Sequence, residues 1–238
     1  MRKIKFSIVI PAYNEEVGIA RSVKSLLRLN YPREQYEIIV VDNNSTDNTS
    51  LAAEKAGADK VVLEKEKGTN FARERGRKEA VGDIVAFLDA DSEAYSDWLH
   101  KIEAGLNISG VAAISGPYDH GFTGIRKKLD DLYQIFILPR VPKILNFIFR
   151  RKAGVLIGGN FAGRAETFEK IGGLPPLRFW GDDVAIAMLI SRRVGRVFFD
   201  PYFRVKSSAR RFEREGFFRL FFRYVLTYLK IYFSKDYR

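Results

Sequence analysis

The chain's 238 residues can bury a substantial core, and its 46% hydrophobic and 29% charged residues exclude a disordered or collagen-like protein. It has no cysteine, which excludes disulfides, thiolate metal sites and a cysteine nucleophile and fits a reducing compartment. The net charge of +11 lies wholly in the second half: residues 1–118 carry 16 Lys+Arg and 18 Asp+Glu, residues 119–238 carry 24 and 11, and such asymmetry points to a polyanionic partner.

The run Ile4–Ile10 reads as a strand stopped by Pro11. Asn14 is placed to cap a helix whose Ile19, Val23, Leu26 and Leu27 share one face. Glu37–Val41 is a second buried strand; Thr46 or Asp47 opens the next helix and Gly57 closes it. Val61–Leu63 is a strand, Asn70–Val81 a helix and Ile84–Leu88 a fourth strand. A helix over Asp97–Gly105 and a strand over Val111–Ser115 follow. Beyond them the order is less regular. Residues 125–152 mix basic and apolar side chains around Pro139 and Pro142, Val184–Arg193 reads as helix, Arg196–Phe199 as strand, and residues 212–233 as a last aromatic helix. This alternation predicts an α/β fold, with a mostly parallel sheet, helices on both faces and ligands bound outside the strand carboxyl ends.

Polar clusters follow three of those strands: Pro11–Glu15, Asp42–Asp47 and Asp89–Ser92. Asp89 and Asp91 emerge from the apolar run IVAFL one residue apart, where two carboxylates repel unless a cation or donors share the site. Oxygen ligands with open positions suit Mg²⁺ or Mn²⁺ bridging substrate phosphates. For Asp47, capping and turn formation are the plain alternative. His100 and His120 have no metal-ligand spacing and read as structural.

The segments SIVIPAYNEE, IIVVDNNSTDNT, KGTNFARERGRKEAVGDIVAFLDADS and GDDVAIAMLISRRVGRVFFDP, in this order, resemble glycosyltransferase family 2 with its GT-A fold over approximately residues 4–211. The resemblance implies a nucleotide-diphosphate-sugar donor, uridine by family habit, and Mn²⁺ or Mg²⁺. It places Pro11, Ala12, Tyr13 and Glu15 around the nucleoside and Asp42 on the base. Gly68 and Arg73 pass beneath the nucleotide, Asp89 with Ala90 approaches the ribose or metal, and Asp91 binds the metal. Asp183 matches the general base, and Asp182 stands where the family usually has Glu. Gly158, Gly159, Asn160 and Trp180 match the donor-sugar and acceptor pocket. The His that many relatives place near Lys206 is missing, leaving Lys206, Arg210 and Arg211 to neutralise the diphosphate. Physically, one carboxylate acting as base on an acceptor hydroxyl gives inversion, and no second carboxylate has a comparable claim to be a nucleophile. A helix-start carboxylate is the alternative reading of Asp183.

Residues 1–118 are thus expected to form the nucleotide-binding half, 119–211 the acceptor half, and 212–238 an amphipathic helix. In Gly216–Phe233, Arg219, Arg223 and Lys230 fall within a ~40° arc among Phe, Leu and Tyr. Burying each basic group near a bilayer centre costs roughly 2.5–3.5 kcal/mol, so the helix is expected to lie in the interface of an anionic membrane. Residues 125–152 repeat the pattern, with prolines that rule out one straight spanning helix. The amino-terminal apolar stretch is too short for a secretory signal, so a peripheral place on the cytoplasmic membrane face is expected. The acceptor is then a glycan or a polyprenyl-phosphate-type lipid. Two rivals carry less: a nucleotidyltransferase-like enzyme lacks its Gly-rich basic loop after the first strand, and a nucleic-acid-binding module would be repelled by the acidic edge. No nucleic-acid partner is expected.

Overall fold

A computed structural model of the chain describes residues 4–150, 152–177, 181–210 and 216–234. A seven-stranded sheet forms its centre, built from β1 (Phe6–Ala12), β2 (Tyr36–Asp42), β3 (Lys60–Leu63), β4 (Ile84–Leu88), β6 (Val111–Ser115), β8 (Asn160–Arg164) and β9 (Arg196–Phe199). The order is β3-β2-β1-β4-β8-β6-β9, parallel except for β8, which is antiparallel to β4 and β6. Every residue of β1 and β2 is buried, as expected of strands covered on both faces.

Strand alternation divides the core in two. Phe6, Ile8 and Ile10 of β1 pack with α1 (Ile19–Leu26), α2 (Thr49–Ala56) and α4 (Trp98–Leu106). Val9 and Phe87 face the other way, onto α3 (Thr69–Glu79), α7 (Ala165–Lys170) and α8 (Asp182–Arg193). A small second sheet joins β5 (Ser92–Ala94), β10 (Val205–Ser207) and β7 (Tyr118–Asp119), with β10 in the middle. Its register sets Ser207 opposite Ser92, which brings a late segment of the chain beside the Asp89–Asp91 strand end.

Several expectations are corrected. Asn14 does not cap α1, which begins at Ile19; its backbone is left-handed (φ 53°) and its side chain serves a neighbouring loop. The second helix opens at Thr49, after Thr46 and Asp47, while Gly57 closes it in the left-handed region as expected (φ 99°). The prolines do not interrupt the helix after β7. Chain 124–149 stays helical through α5 (Gly124–Asp131), a π turn (Leu132–Ile137) and α6 (Arg140–Phe149). Proline supplies no N–H and crowds the carbonyl four residues back. Here the wider π turn bonds Leu138 N–H to the Tyr133 carbonyl at 2.8 Å, and the Arg140 guanidinium donates to the Phe136 carbonyl at 2.6 Å. Among the described residues this is the one helix long and apolar enough, by length and composition, to cross a membrane.

The last helix, α9 (Phe217–Phe233), lays one face on the domain. Tyr228, Ile231 and Tyr232 are buried against Val184, Ala185 and Met188 of α8, while Phe222 and Leu226 on its other face are exposed.

Candidate active site

The loops after β1 and β2 are tied to each other by short polar side chains, and they form one rim of a polar edge. Asn14 accepts from Thr46 N–H at 2.8 Å, and its own N–H donates to Ser45 Oγ at 3.0 Å. Glu15 N–H donates to Thr49 Oγ1 at 2.8 Å, and the Glu16 carboxylate accepts from Asn48 N–H at 3.0 Å. Asp47 accepts from Glu16 and Thr49 N–H, which is the turn-forming alternative drawn from the sequence. Asp42 is buried; its carboxylate accepts from Ser45 N–H at 2.8 Å and from the Ser50 hydroxyl. Pro11, Ala12 and Ala90 are buried beside the rim. Tyr13 is half-exposed and carries the Lys67 ammonium 5.1 Å from its ring centre. Asn43 pins the loop after β3, donating to the Glu64 and Glu66 carbonyls and accepting from Gly68 N–H at 2.8 Å.

Behind this rim the charges converge on Arg73, which α3 delivers with only 3% exposure. One Nη donates to Asp182 Oδ2 at 2.6 Å and the other to Asp89 Oδ1 at 3.3 Å. Burial works against the Arg73 charge, but the Asp182 and Asp89 carboxylates outweigh it and hold its pKa above the usual arginine value. The second Asp89 oxygen accepts from the Tyr118 hydroxyl at 2.8 Å, and that hydroxyl in turn accepts from Gly159 N–H at 3.0 Å. Any Cβ on Gly159 would overlap the Asp89 carboxylate, so only glycine lets β8 approach this closely. Gly158 likewise backs onto the Arg73 guanidinium. Asn160 is fully buried: it accepts from Trp98 Nε1 at 2.9 Å and donates to the Gly116 and Phe203 carbonyls. It therefore shapes the site from behind instead of lining it.

Asp91 points elsewhere. Its Oδ2 lies 2.8 Å from an Arg210 Nη nitrogen that also contacts Glu15 Oε1 at 2.6 Å. Burial pushes the Glu15 carboxyl up, partly offset by Arg210. The Lys206 ammonium sits over the Tyr95 ring, 5.6 Å from its centre. Trp180 and Arg211 lie outside the described residues.

Asp183 opens α8 beside Asp182 and accepts its helix's Val184 N–H at 2.8 Å. The Tyr224 hydroxyl of α9 lies 3.5 Å from its other oxygen. Burial, then the neighbouring Asp182 charge, push the Asp183 carboxyl up to about 7. Burial also pushes the Tyr224 hydroxyl well above its ordinary value.

The family 2 model described as "Glycosyl transferase family 2" matches residues 7–172. The chain belongs to glycosyl transferase family 2. Similar proteins include glycosyltransferase AglE of Haloferax volcanii, 27% identical over 187 residues, covering 75% of this chain and 58% of AglE. The probable glycosyltransferase YdaM of Bacillus subtilis is 32% identical over 202 residues, covering 77% of this chain and 44% of YdaM. The chain thus spans about half the length of these relatives. Among solved structures, the mannosyltransferase PcManGT from Pyrobaculum calidifontis, in complex with GDP-Man and Mn²⁺, superposes with a TM-score of 0.68. That likeness covers 94% of this chain and 65% of PcManGT at 23% identity, and it establishes the GT-A fold.

Sequence reasoning missed Tyr118, Tyr224 and Asn43. Tyr118 sits in the stretch GPYDHGFTG, where attention falls on His120. The structure packs that histidine inward, its Nδ1 3.0 Å from the buried Asp130 carboxylate. Asp130 also accepts from Gln134 Nε2 at 2.9 Å, and Gln134 Oε1 accepts from Tyr118 N–H at 2.8 Å. His120 is thus part of what braces Tyr118. His100 lies on the exposed side of α4, as expected.

Proposed function

We propose that the chain is an inverting glycosyltransferase that takes sugar from a nucleotide-diphosphate donor, UDP-linked by family habit, with help from Mn²⁺ or Mg²⁺. The supporting observation is the Arg73 bridge, one buried guanidinium joining Asp89 at the strand edge to Asp182, the neighbour of Asp183. It ties Asp89 at the strand edge to the first turn of α8, where the neighbouring Asp183 carboxyl is pushed up to about 7 by burial and by Asp182. That value suits a general base near neutral pH.

In this reading Tyr13 and Asp42 receive the nucleoside and Gly68 lets the chain pass beneath it. Asp89, clamped by Arg73 and Tyr118, orients the ribose. Among the described residues no three His, Asp or Glu side chains form a ready ligand set. The chemistry instead fits a hard ion held by Asp91 together with substrate phosphates, since Mg²⁺-type ions commonly take one or two carboxylates plus phosphate oxygens. The Arg210 contact supports this fit, because positive charge already rests on Asp91. Bound there, the ion would neutralise charge on the departing diphosphate. Asp183 removes the acceptor hydroxyl's proton as the oxygen attacks the anomeric carbon and the diphosphate leaves. Asp182, held by Arg73 at 2.6 Å, orients and does not attack, which leaves a single displacement and inversion.

Release of nucleoside diphosphate from UDP- and GDP-sugars, with membrane lipid extract as acceptor source, tests the reading. A β-linked product from an α-linked donor is expected by NMR. Retention, or no release from any donor, would count against it.

The site is proposed to work against an anionic membrane, on its cytoplasmic face, with a glycan or polyprenyl-phosphate-type lipid as acceptor. Support comes from chain 124–149, which exposes Ile125, Leu129, Leu132, Phe136, Phe147 and Ile148, with Arg126, Lys128 and Lys143 exposed alongside. On α9, Arg219, Phe222 and Leu226 add a mixed basic and apolar face. The buried Asp130 and Gln134 bind the other side of chain 124–149 to the domain, which favours lying in the interface over spanning. Vesicles rich in anionic lipid are expected to co-sediment the protein at low salt, and Phe147→Glu with Ile148→Glu to reduce the bound fraction severalfold. Equal binding by the variant would remove this face from the account.

A further inference from the structure

Arg210 leaves β10 three residues after the strand ends, and a single Nη nitrogen reaches Glu15 Oε1 at 2.6 Å and Asp91 Oδ2 at 2.8 Å. It therefore joins the loop after β1 to the strand end after β4, at the place where the donor-site reading puts a divalent cation. The Arg210 side chain is 61% exposed, whereas those of Glu15 and Asp91 are 20% and 25% exposed. Charge, and not packing, holds the guanidinium there. Two carboxylates sharing a site repel, and a cation between them removes the penalty.

We propose that Arg210 is an exchangeable counter-ion: it occupies the cation position between Glu15 and Asp91 until the donor's diphosphate arrives with its metal, and then yields Asp91 and turns onto the diphosphate. The inference rests on the donor-site reading above and goes beyond it by giving the site an order of filling. A guanidinium and a divalent ion on one carboxylate repel each other, so Arg210 on Asp91 competes with free metal. It does not compete with metal that brings phosphate, because the planar fork that leaves Asp91 finds equivalent acceptors on the phosphate oxygens. The β5–β10 pairing, with Ser207 opposite Ser92, keeps Arg210 close to Asp91. The consequence is a protein that takes metal poorly by itself and well together with nucleotide.

The test compares the wild-type protein with Arg210→Gln and Arg210→Lys. Mn²⁺ binding is read from the free-ion electron paramagnetic resonance signal, without nucleotide and then with UDP, GDP, CDP or dTDP. Arg210→Gln is expected to bind Mn²⁺ alone about tenfold tighter, because a charge-assisted hydrogen bond no longer opposes the ion. The same variant is expected to bind Mn²⁺ with nucleoside diphosphate about tenfold more weakly, and Arg210→Lys to fall between. Opposite signs in the two arms separate exchange from a merely structural or merely phosphate-binding role. Unchanged or weaker binding of Mn²⁺ alone in Arg210→Gln overturns the exchange while leaving the donor site standing. Failure of the wild type to bind Mn²⁺ with any of the four nucleotides overturns the donor-site reading, and the exchange with it.

Discussion

Replacing Asp183 by Asn is expected to lower sugar transfer by about 10²–10⁴-fold, the usual worth of a positioned general base. Donor binding should stay within about twofold, because Asp182 and not Asp183 makes the Arg73 contact. The wild-type rate should rise with pH through about 7, where the Asp183 carboxyl loses its proton. Because Asp182 contributes to that value, the limb belongs to the pair. The stability consequence has a definite sign. A carboxyl whose folded pKa lies above its unfolded value of about 3.8 contributes most when protonated, and that contribution is lost as pH rises through about 7. Asp183→Asn should therefore melt above the wild type at pH 8, with the gap narrowing towards pH 5. Initial rates and thermal melts across pH 5–9 read both effects. A loss below tenfold with a flat rate profile would mean that the acceptor enters already charged, as a lipid phosphate does, and would remove Asp183 from the role of base.

Replacing Arg73 by Met is expected to cost about 3–5 kcal/mol of stability and to abolish donor binding. Removing this buried guanidinium leaves the half-buried carboxylates of Asp89 and Asp182 facing each other without a cation. It also releases Asp89 from one of its two anchors, leaving Tyr118 alone to hold it. Lysine cannot replace it, since one ammonium does not supply the two-armed fork that reaches both acids. The double variant Arg73→Met with Asp182→Asn should recover part of the loss, because the shorter of the two contacts is the one to Asp182. Urea unfolding measures these differences directly. A loss below about 1 kcal/mol would show that water already screens the carboxylates and that the bridge is not what holds the site.

Residue spacing made the polar strand edge legible because it depends on local signals. A buried apolar strand that ends in acids, as Ile84–Leu88 does before Asp89, announces both the strand and the exit of its carboxylates. The two-core arrangement follows from the same alternation. What local signals could not show was partnership across the fold. Arg210 reaches Glu15 from 195 residues away, and Tyr118 reaches Asp89 only because β8, with Gly158 and Gly159, is inserted antiparallel beside β4. The segment Asn160–Arg164 has no β-branched residue to mark it as a strand. Pro139 read as a break, yet the π turn before it carries the helix through. Asn14 read as a cap, yet its left-handed backbone turns the side chain to Thr46. For Asn14 a tertiary contact 32 residues away decided the conformation, and for Pro139 a change of local helical hydrogen bonding did; neither is visible to periodicity.

The most direct measurement is the thermal stability of the purified protein with UDP, GDP, CDP and dTDP, each with Mn²⁺, Mg²⁺ or a chelator. A ligand that binds the native state alone raises the melting temperature by mass action, by an amount equivalent to about 2.7 kcal/mol at a hundredfold excess over Kd. The expected result is a rise with one nucleotide that requires the metal and disappears in Asp91→Asn. No rise with any nucleotide, or a rise that Asp91→Asn leaves intact, would contradict it.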